Sequence, residues 1–355
     1  MIINKYKGIE ILGIAAAVPK KWQSLKDLVE TEQPDDFNLA KFEKMTGVKG
    51  RYVAKLQQTT ADLCYEAGKK LLNEYQTDIS EIGALIFVSQ CPDYTTPATA
   101  CVLQYRLGGG KGLNNCIAFD VNLGCSGFVY GLNIIAGLMA SSNIKKALML
   151  CGDTFARSYH HYDDRVSHSS KYLFGDMGTA TLLENTNSDS ELCFSSCTDG
   201  AGYKAIIDPY KRWRHPDTER LSIMDDVTVF NFSTEEAPAM IKEYMAMQGT
   251  HPDDYDSLVL HQANLFIMKQ IAKRSGFSKE QLAVSIDVFG NTSSASIPAT
   301  FVKQYGDDDS ADIKRLLTCG FGVGLSWAVC DLRLSPAQIL PLVKTDEYFR
   351  DDIED

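Results

Sequence analysis

The chain has 355 residues, 45% hydrophobic and 23% charged, which suits two domain-sized halves sharing a full core and leaves no sign of low complexity. A formal net charge of -11 repels phosphate backbones and argues against nucleic-acid binding. The 10 cysteines have no regular spacing and no CxxC, and no apolar run with a small-residue cleavage site opens the chain, so neither a disulfide framework nor a secretory signal is expected and the compartment is read as cytoplasmic.

In chain order, apolar runs predict a strand over 9–14, a helix over 60–75, strands over 84–89 and 116–121, a helix over 126–140, and strands over 147–151 and 180–183. Then follow a helix over 234–248, a strand over 257–260, a helix over 265–275, a strand over 282–285, a helix over 297–305, and strands over 315–318 and 327–332. Alternating strands and helices read as α/β. The uncharged run 125–142 has the length of a short membrane span, but Asn133, three glycines and close flanking strands make it a helix buried on all sides. No membrane association is expected.

The pattern repeats. IGALIFVSQ, FDVNLGCSG, an apolar helix and KKALMLCGD in the first half are answered by YDSLVLHQA, SIDVFGNTS, a helix and KRLLTCGFG in the second. The implied architecture is a duplicated pair of α/β halves, residues 1–187 and 188–332, divided at the polar ENTNSDSE segment, with a tail over 333–355. Strand ends and helix starts face the crevice where such sheets bind ligands.

Three residues stand at those turns. Cys125, between Gly124 and Gly127, opens the buried helix, where unpaired amides favour a thiolate and the glycines admit a substrate. Otherwise it is a packing cysteine. His261 ends a strand in LVLHQAN, close to Asn264, and is either a structural hydrogen-bonder or a proton donor. Asn291, in FGNTSSAS, is either a helix cap or an amide donor to developing negative charge. His261 and Asn291 together would hold an enolate oxygen, as decarboxylative carbon–carbon bond formation needs. The glycine-rich TCGFGVGLSW turns amides inward but lacks the ending of a phosphate loop.

GCSG, LHQAN, GNTSSASIP and GFGVGLSW, in that order, resemble the β-ketoacyl-acyl-carrier-protein synthase III family of the thiolase superfamily, with support from MTGVKGR, CPDYTTPATACVLQYRLG and FGDMGTA. The resemblance runs from about residue 8 to 332. It implies a five-layered αβαβα thiolase-like fold and a homodimer. It also implies an acyltransferase that loads Cys125 from acyl-coenzyme A or acyl-carrier protein, then condenses the acyl group with decarboxylating malonyl-carrier protein to a 3-ketoacyl thioester. Thioesters are then substrates, and no bound cofactor or metal is implied. By motif, His261 and Asn291 hold the malonyl thioester carbonyl, and the amides of Cys125 and of the Gly322–Val323 turn form a second oxyanion hole.

Departures bear on the substrate. Phe266 stands where relatives often have a carrier-docking arginine, and Thr96 where they often have an aromatic residue lining the partner's acyl pocket. Both point to a specialised member with another acyl group or acceptor. In SYHHYDDRVSH, Arg165 is a candidate for coenzyme A contact, while the bunched histidines and aspartates read as a solvated loop rather than a metal site. Arg212 and Trp213, in a basic aromatic segment of an acidic chain, are candidates for the pantetheine or carrier entrance. The rival activities are acyl transfer to oxygen or nitrogen without decarboxylation, a cysteine protease, and a non-catalytic partner subunit.

Overall fold

The computed structural model describes residues 2–35, 37–161, 167–186, 188–209, 214–219 and 222–353. Two twisted sheets carry the chain. The first is ordered Val343–Thr345, Ile9–Pro19, Met177–Asn185, Lys146–Asp153, Ile82–Val88, Ile117–Val121. The second is ordered Ile3–Lys7, Glu191–Thr198, Ser326–Leu334, Lys314–Gly322, Ser257–Leu260.

Strand directions show the duplication. From Ile9–Pro19 onward the first sheet pairs antiparallel, antiparallel, parallel, parallel. From Glu191–Thr198 the second pairs antiparallel, antiparallel, parallel, then forms one parallel bridge between Leu258 and Leu282. The predicted strand over 282–285 shrinks to that bridge. Gln262 Oε1 accepts the amides of Ser285 and Ile286 at 2.8 and 3.2 Å, which diverts the backbone from the ladder into the short helix Ile286–Phe289.

Helices fill three layers around the sheets. Thr60–Glu74 and Thr99–Leu107 cover the outer face of the first sheet through Ala61, Leu71, Ala100 and Leu103. Asp226–Gln248 and Leu265–Ser275 cover the outer face of the second through Ala237, Ile241, Met268 and Ile271. Gly127–Ala140 and Ser296–Tyr305 lie between the sheets, where Phe128, Leu132 and Phe301 meet side chains of both. The result is an αβαβα sandwich whose strands, covered on both faces, need their near-continuous apolar runs. Asn133, in the middle helix, accepts from the Tyr6 hydroxyl at 3.0 Å, so its polarity is matched inside the protein. Among the described residues no helix is long and apolar enough to cross a membrane.

Two features differ from expectation, and the tail docks on the first half. The helix predicted from 234 starts at Asp226, because Asp225 caps it by accepting the amides of Val227 and Thr228. Ile3–Lys7, near the start of the chain, joins the second sheet beside Glu191–Thr198. Val343–Thr345, in the tail, joins the first sheet beside Ile9–Pro19. The tail continues along the outer helices: Gln58 Nε2 donates to the carbonyls of Thr345 and Glu347, and the Phe349 amide donates to Asp62 at 2.9 Å. Asp62 also pairs with Arg106 at 2.9 Å, both side chains being nearly inaccessible.

Candidate active site

Cys125 sits just before Gly127–Ala140, reached by the chain as it leaves Ile117–Val121. Glycines make room around it. A Cβ on Gly124 would stand 2.1 Å from Gln90 Oε1, and one on Gly322 would stand 2.5 Å from Cys125 Cβ. The hairpin joining Lys314–Gly322 to Ser326–Leu334 therefore lies directly on the cysteine. Burial pushes the thiol up to about 12, and the charge of Asp153 adds to it; the Ser293 hydroxyl and the amides of Cys125 and Val323 work in the other direction. Desolvation of the half-buried thiol thus works against the thiolate that the helix end favours. The Gly322–Val323 turn contributes the Val323 amide, the pairing of Gly322 being with Ser326 in the hairpin.

His261 ends Ser257–Leu260 and is 1% exposed. Its Nδ1 lies 2.7 Å from Ser296 Oγ, and Ser296 Oγ lies 2.8 Å from the Ser293 carbonyl. Burial lowers its pKa to about 3, so the ring is neutral. Phe321 meets it edge-on at 5.5 Å, linking it to the hairpin over Cys125.

Asn291 is 4% exposed and does not cap a helix. Its backbone is clamped by Leu173 and Gly175, with N–H to carbonyl distances of 2.8 and 3.1 Å. Its Oδ1 accepts the Ser293 amide at 2.9 Å, which fixes the amide orientation and leaves Nδ2 as the donor end. The FGDMGTA motif explains itself here. Gly175 packs under Phe289, where a Cβ would stand 2.0 Å from the Phe289 carbonyl oxygen, and Asp176 ties Ala54, Ala156 and Arg157 together by their amides. Cys125 from one half, and His261 and Asn291 from the other, converge through Ser293, which influences the Cys125 thiol and follows Asn291 by two residues.

Sequence reasoning missed Asp153 and four serines. Asp153 is fully buried at the end of Lys146–Asp153, and accepts from Ser89 Oγ (3.0 Å), the Gln90 amide (2.7 Å) and Ser294 N and Oγ (3.4 and 3.2 Å). It joins the ends of two first-half strands to the loop carrying Asn291. The signal was available: LMLCGD ends an all-apolar strand in a carboxylate. Ser293 and Ser296 line that loop, and Ser126 Oγ meets Ser326 Oγ beneath the hairpin. Serines carry no such signal, since hydroxyls at turns are ordinary caps.

The remaining predicted contacts divide. Asn264 Oδ1 accepts the Ile267 amide at 2.8 Å and caps Leu265–Ser275. Phe266, 46% exposed, stacks on Phe230 with ring centroids 5.8 Å apart, forming an apolar ledge at the start of that helix. Thr96 is exposed on the loop before Thr99–Leu107. Arg165, Arg212 and Trp213 lie outside the described residues, as do Asp163, Asp164 and the side chains of His160, His161 and His168. Among the described residues no group of three or more His, Cys, Asp and Glu side chains is arranged to hold a metal ion.

Comparisons with known proteins agree with this geometry. The 3-oxoacyl-[acyl-carrier-protein (ACP)] synthase III family matches residues 119–200, and its C-terminal region matches residues 245–334. A β-ketoacyl-[acyl-carrier-protein] synthase III of Clostridium perfringens is 30% identical over 339 residues, covering 92% of this chain and 100% of that protein. One from Syntrophomonas wolfei is 31% identical over 335 residues, covering 92% of this chain and 97% of that protein. The crystal structure of a 3-oxoacyl-(acyl-carrier protein) synthase from Burkholderia xenovorans superimposes with a TM-score of 0.88 at 34% identity, covering 97% of this chain and 99% of that one.

Proposed function

The chain belongs to the 3-oxoacyl-[acyl-carrier-protein] synthase III family of condensing enzymes, and from that premise we propose that Cys125, His261 and Asn291 divide the two stages of its reaction between them. The enzyme condenses an acyl thioester with malonyl-carrier protein and uses thioesters as substrates without a bound cofactor. In the first stage Cys125 attacks the donor thioester, and the acyl group passes to sulfur, which makes the enzyme an acyltransferase. The tetrahedral oxyanion meets the amides of Cys125 and Val323. In the second stage the malonyl carbonyl sits between Asn291 Nδ2 and His261 Nε2. Loss of CO2 places negative charge on that oxygen, and the carbanion attacks the acyl-cysteine.

The observation that carries this reading is the convergence of a half-buried thiol with a neutral, buried histidine and an oriented asparagine amide. A neutral imidazole stabilises an enolate as a donor without adding a charge to a dry site. Nδ1 is anchored 2.7 Å from Ser296 Oγ, which fixes the plane of the ring, and the step requires the tautomer that carries its proton on Nε2. Retention of both donors favours condensation over simple acyl transfer, which needs no enolate hole.

The test is intact-mass measurement after incubation with a panel of acyl-coenzyme A and acyl-carrier protein donors, beside Cys125→Ala, followed by malonyl-carrier protein. One acyl adduct lost in the variant, then CO2 release and a 3-ketoacyl product, is the expected result. Acyl transfer without CO2 release would overturn the condensation. The apolar ledge at Phe266 supports a donor other than a small coenzyme A thioester. We also read the protein as a cytoplasmic homodimer. Support comes from Ile117–Val121, a sheet-edge strand with Ile117 50% exposed, which a second copy can cover.

A further inference from the structure

We propose that Asp153 is a positioning residue for the condensation stage, its carboxylate holding the loop that orients the Asn291 amide toward the malonyl carbonyl. This rests on the reading of Asn291 as a donor to the enolate oxygen.

Asn291 does not orient its own side chain. Its backbone is held by Leu173 and Gly175, but among the described residues its side chain has one hydrogen bond, accepted by Oδ1 from the Ser293 amide at 2.9 Å. If Ser293 moved away, the side-chain amide would be free to turn over and offer its oxygen, which repels an enolate. Ser293 is not held by local preference either. It is 1% exposed and its φ is +51°, a left-handed conformation uncommon outside glycine. A residue stays in such a conformation only where its surroundings impose it.

Those surroundings lead to Asp153. It is fully buried, and a buried carboxylate is costly unless donors surround it. Its two oxygens serve different parts of the chain. Oδ1 accepts the Gln90 amide at 2.7 Å and Ser89 Oγ at 3.0 Å, both just beyond Ile82–Val88. Oδ2 accepts the Ser294 amide at 3.4 Å and faces Ser294 Oγ at 3.2 Å, on the Asn291 loop. Ser294 Oγ also lies 3.1 Å from the Val88 carbonyl, so the loop is moored to the end of that strand as well. The Gln90 and Ser294 amides can only donate, and they approach different oxygens. A carboxylate accepts on both sides at once, whereas a side-chain amide accepts on one.

The isostere therefore separates the two sides. In Asp153→Asn a single oxygen remains, and the shorter contacts at Oδ1 keep it with Gln90 and Ser89. The NH2 group then meets the Ser294 amide, donor against donor. The first-half strand ends stay tied, and the Asn291 loop loses its anchor. The two stages divide along the same line, since acylation uses Cys125 and the hairpin amides, while decarboxylation uses Asn291.

The test compares two rates in the full chain. One is single-turnover acylation by acyl-coenzyme A, or by whichever acyl-carrier protein loads it. The other is decarboxylation of malonyl-carrier protein in the Cys125→Ala background. We expect Asp153→Asn to slow decarboxylation on the order of 100-fold, as for a donor displaced by about 1 Å. The loss should fall on kcat and not on KM, because the interaction strengthens only as charge develops. Acylation should slow by less than about threefold, a small part of that effect. When Asn291→Ala is already present, Asp153→Asn should slow decarboxylation no further, since the group it positions is gone. Ser294→Ala removes one mooring and should divide the stages in the same way, with a loss of roughly fivefold, the scale of one net hydrogen bond. It carries the test if Asp153→Asn does not fold. Equal losses in both stages, or losses that multiply when Asp153→Asn and Asn291→Ala are combined, would make Asp153 a structural staple and overturn the proposal. Undiminished decarboxylation with Asn291→Ala alone would instead overturn the reading beneath it, and the proposal with it.

Discussion

Ser126 Oγ and Ser326 Oγ lie 2.7 Å apart in the core, and this hydroxyl pair ties the start of the nucleophile's helix to the hairpin that covers it. Ser326 spends its own proton on the Val323 carbonyl at 2.7 Å, so Ser126 is the donor to Ser326. The chain of bonds sets the height of the Val323 amide above the sulfur. Ser126→Ala should lower stability by about 1 kcal/mol, as for one lost buried hydrogen bond. It should slow acylation by roughly tenfold, less than outright loss of an oxyanion donor. Thermal melting and single-turnover acylation measure the two effects separately.

The hairpin also touches the cysteine directly. Because a Cβ on Gly322 would fall 2.5 Å from Cys125 Cβ, Gly322→Ala must move either the loop or the thiol. We expect a cost of roughly 1–3 kcal/mol, the range for overpacking, with acylation lost before the fold is. Circular dichroism and intact mass after acyl-donor incubation would show the two diverging.

Thiol reactivity should follow burial. With the pKa of Cys125 pushed up to about 12, iodoacetamide should label it slowly at pH 7, and the rate should rise about tenfold per pH unit up to pH 9. A rate already levelling off near neutral pH would mean that a thiolate forms in the resting enzyme.

His261 gives a pH prediction of opposite kind. Its folded pKa, about 3, is below the ordinary value of 6.5, so the folded state resists the proton that an unfolded chain accepts. Its contribution to stability is full above about pH 6.5 and declines as pH falls toward 3. Malonyl decarboxylation by Cys125→Ala should therefore show no acid limb near pH 6.5, whereas an ordinary imidazole would produce one. His261→Ala should abolish decarboxylation while leaving the acyl adduct on Cys125.

Far from the site, Asp62 binds the tail amide of Phe349, caps Thr60–Glu74 through Thr59 and pairs with Arg106. Asp62→Ala leaves a buried guanidinium without its partner and should cost about 3–5 kcal/mol. Urea unfolding at fixed pH measures it.

Much of this was legible in the sequence because apolar periodicity and special turns are local. The runs of Ile82–Val88 and Lys146–Asp153, the buried helix after Cys125 and the duplication all follow from patterns a few residues wide. The same holds for Cys125, His261 and Asn291, each set at a strand or helix boundary. What could not be read was non-local. Gln262 ends the ladder at Leu282 from 21 or more residues away, Asp153 serves a loop 141 residues distant, and the Ser126–Ser326 pair spans 200 residues. The environment of the thiol was hidden for a related reason: a helix end is visible in sequence, but the burial that works against a thiolate is assembled by both halves.

Two flanking strands are exchanged between the sheets: Ile3–Lys7 joins the edge of the second, and Val343–Thr345 joins the edge of the first. Each sheet therefore lacks an edge strand without the segment that flanks the other half. A ribosome releasing this chain cannot leave a mature first half behind it, since the strand that joins that sheet's edge follows the whole of the second half. Ancestral duplication has become a single order of assembly, and separately expressed halves should each expose an unpaired sheet edge and self-associate rather than reconstitute the enzyme.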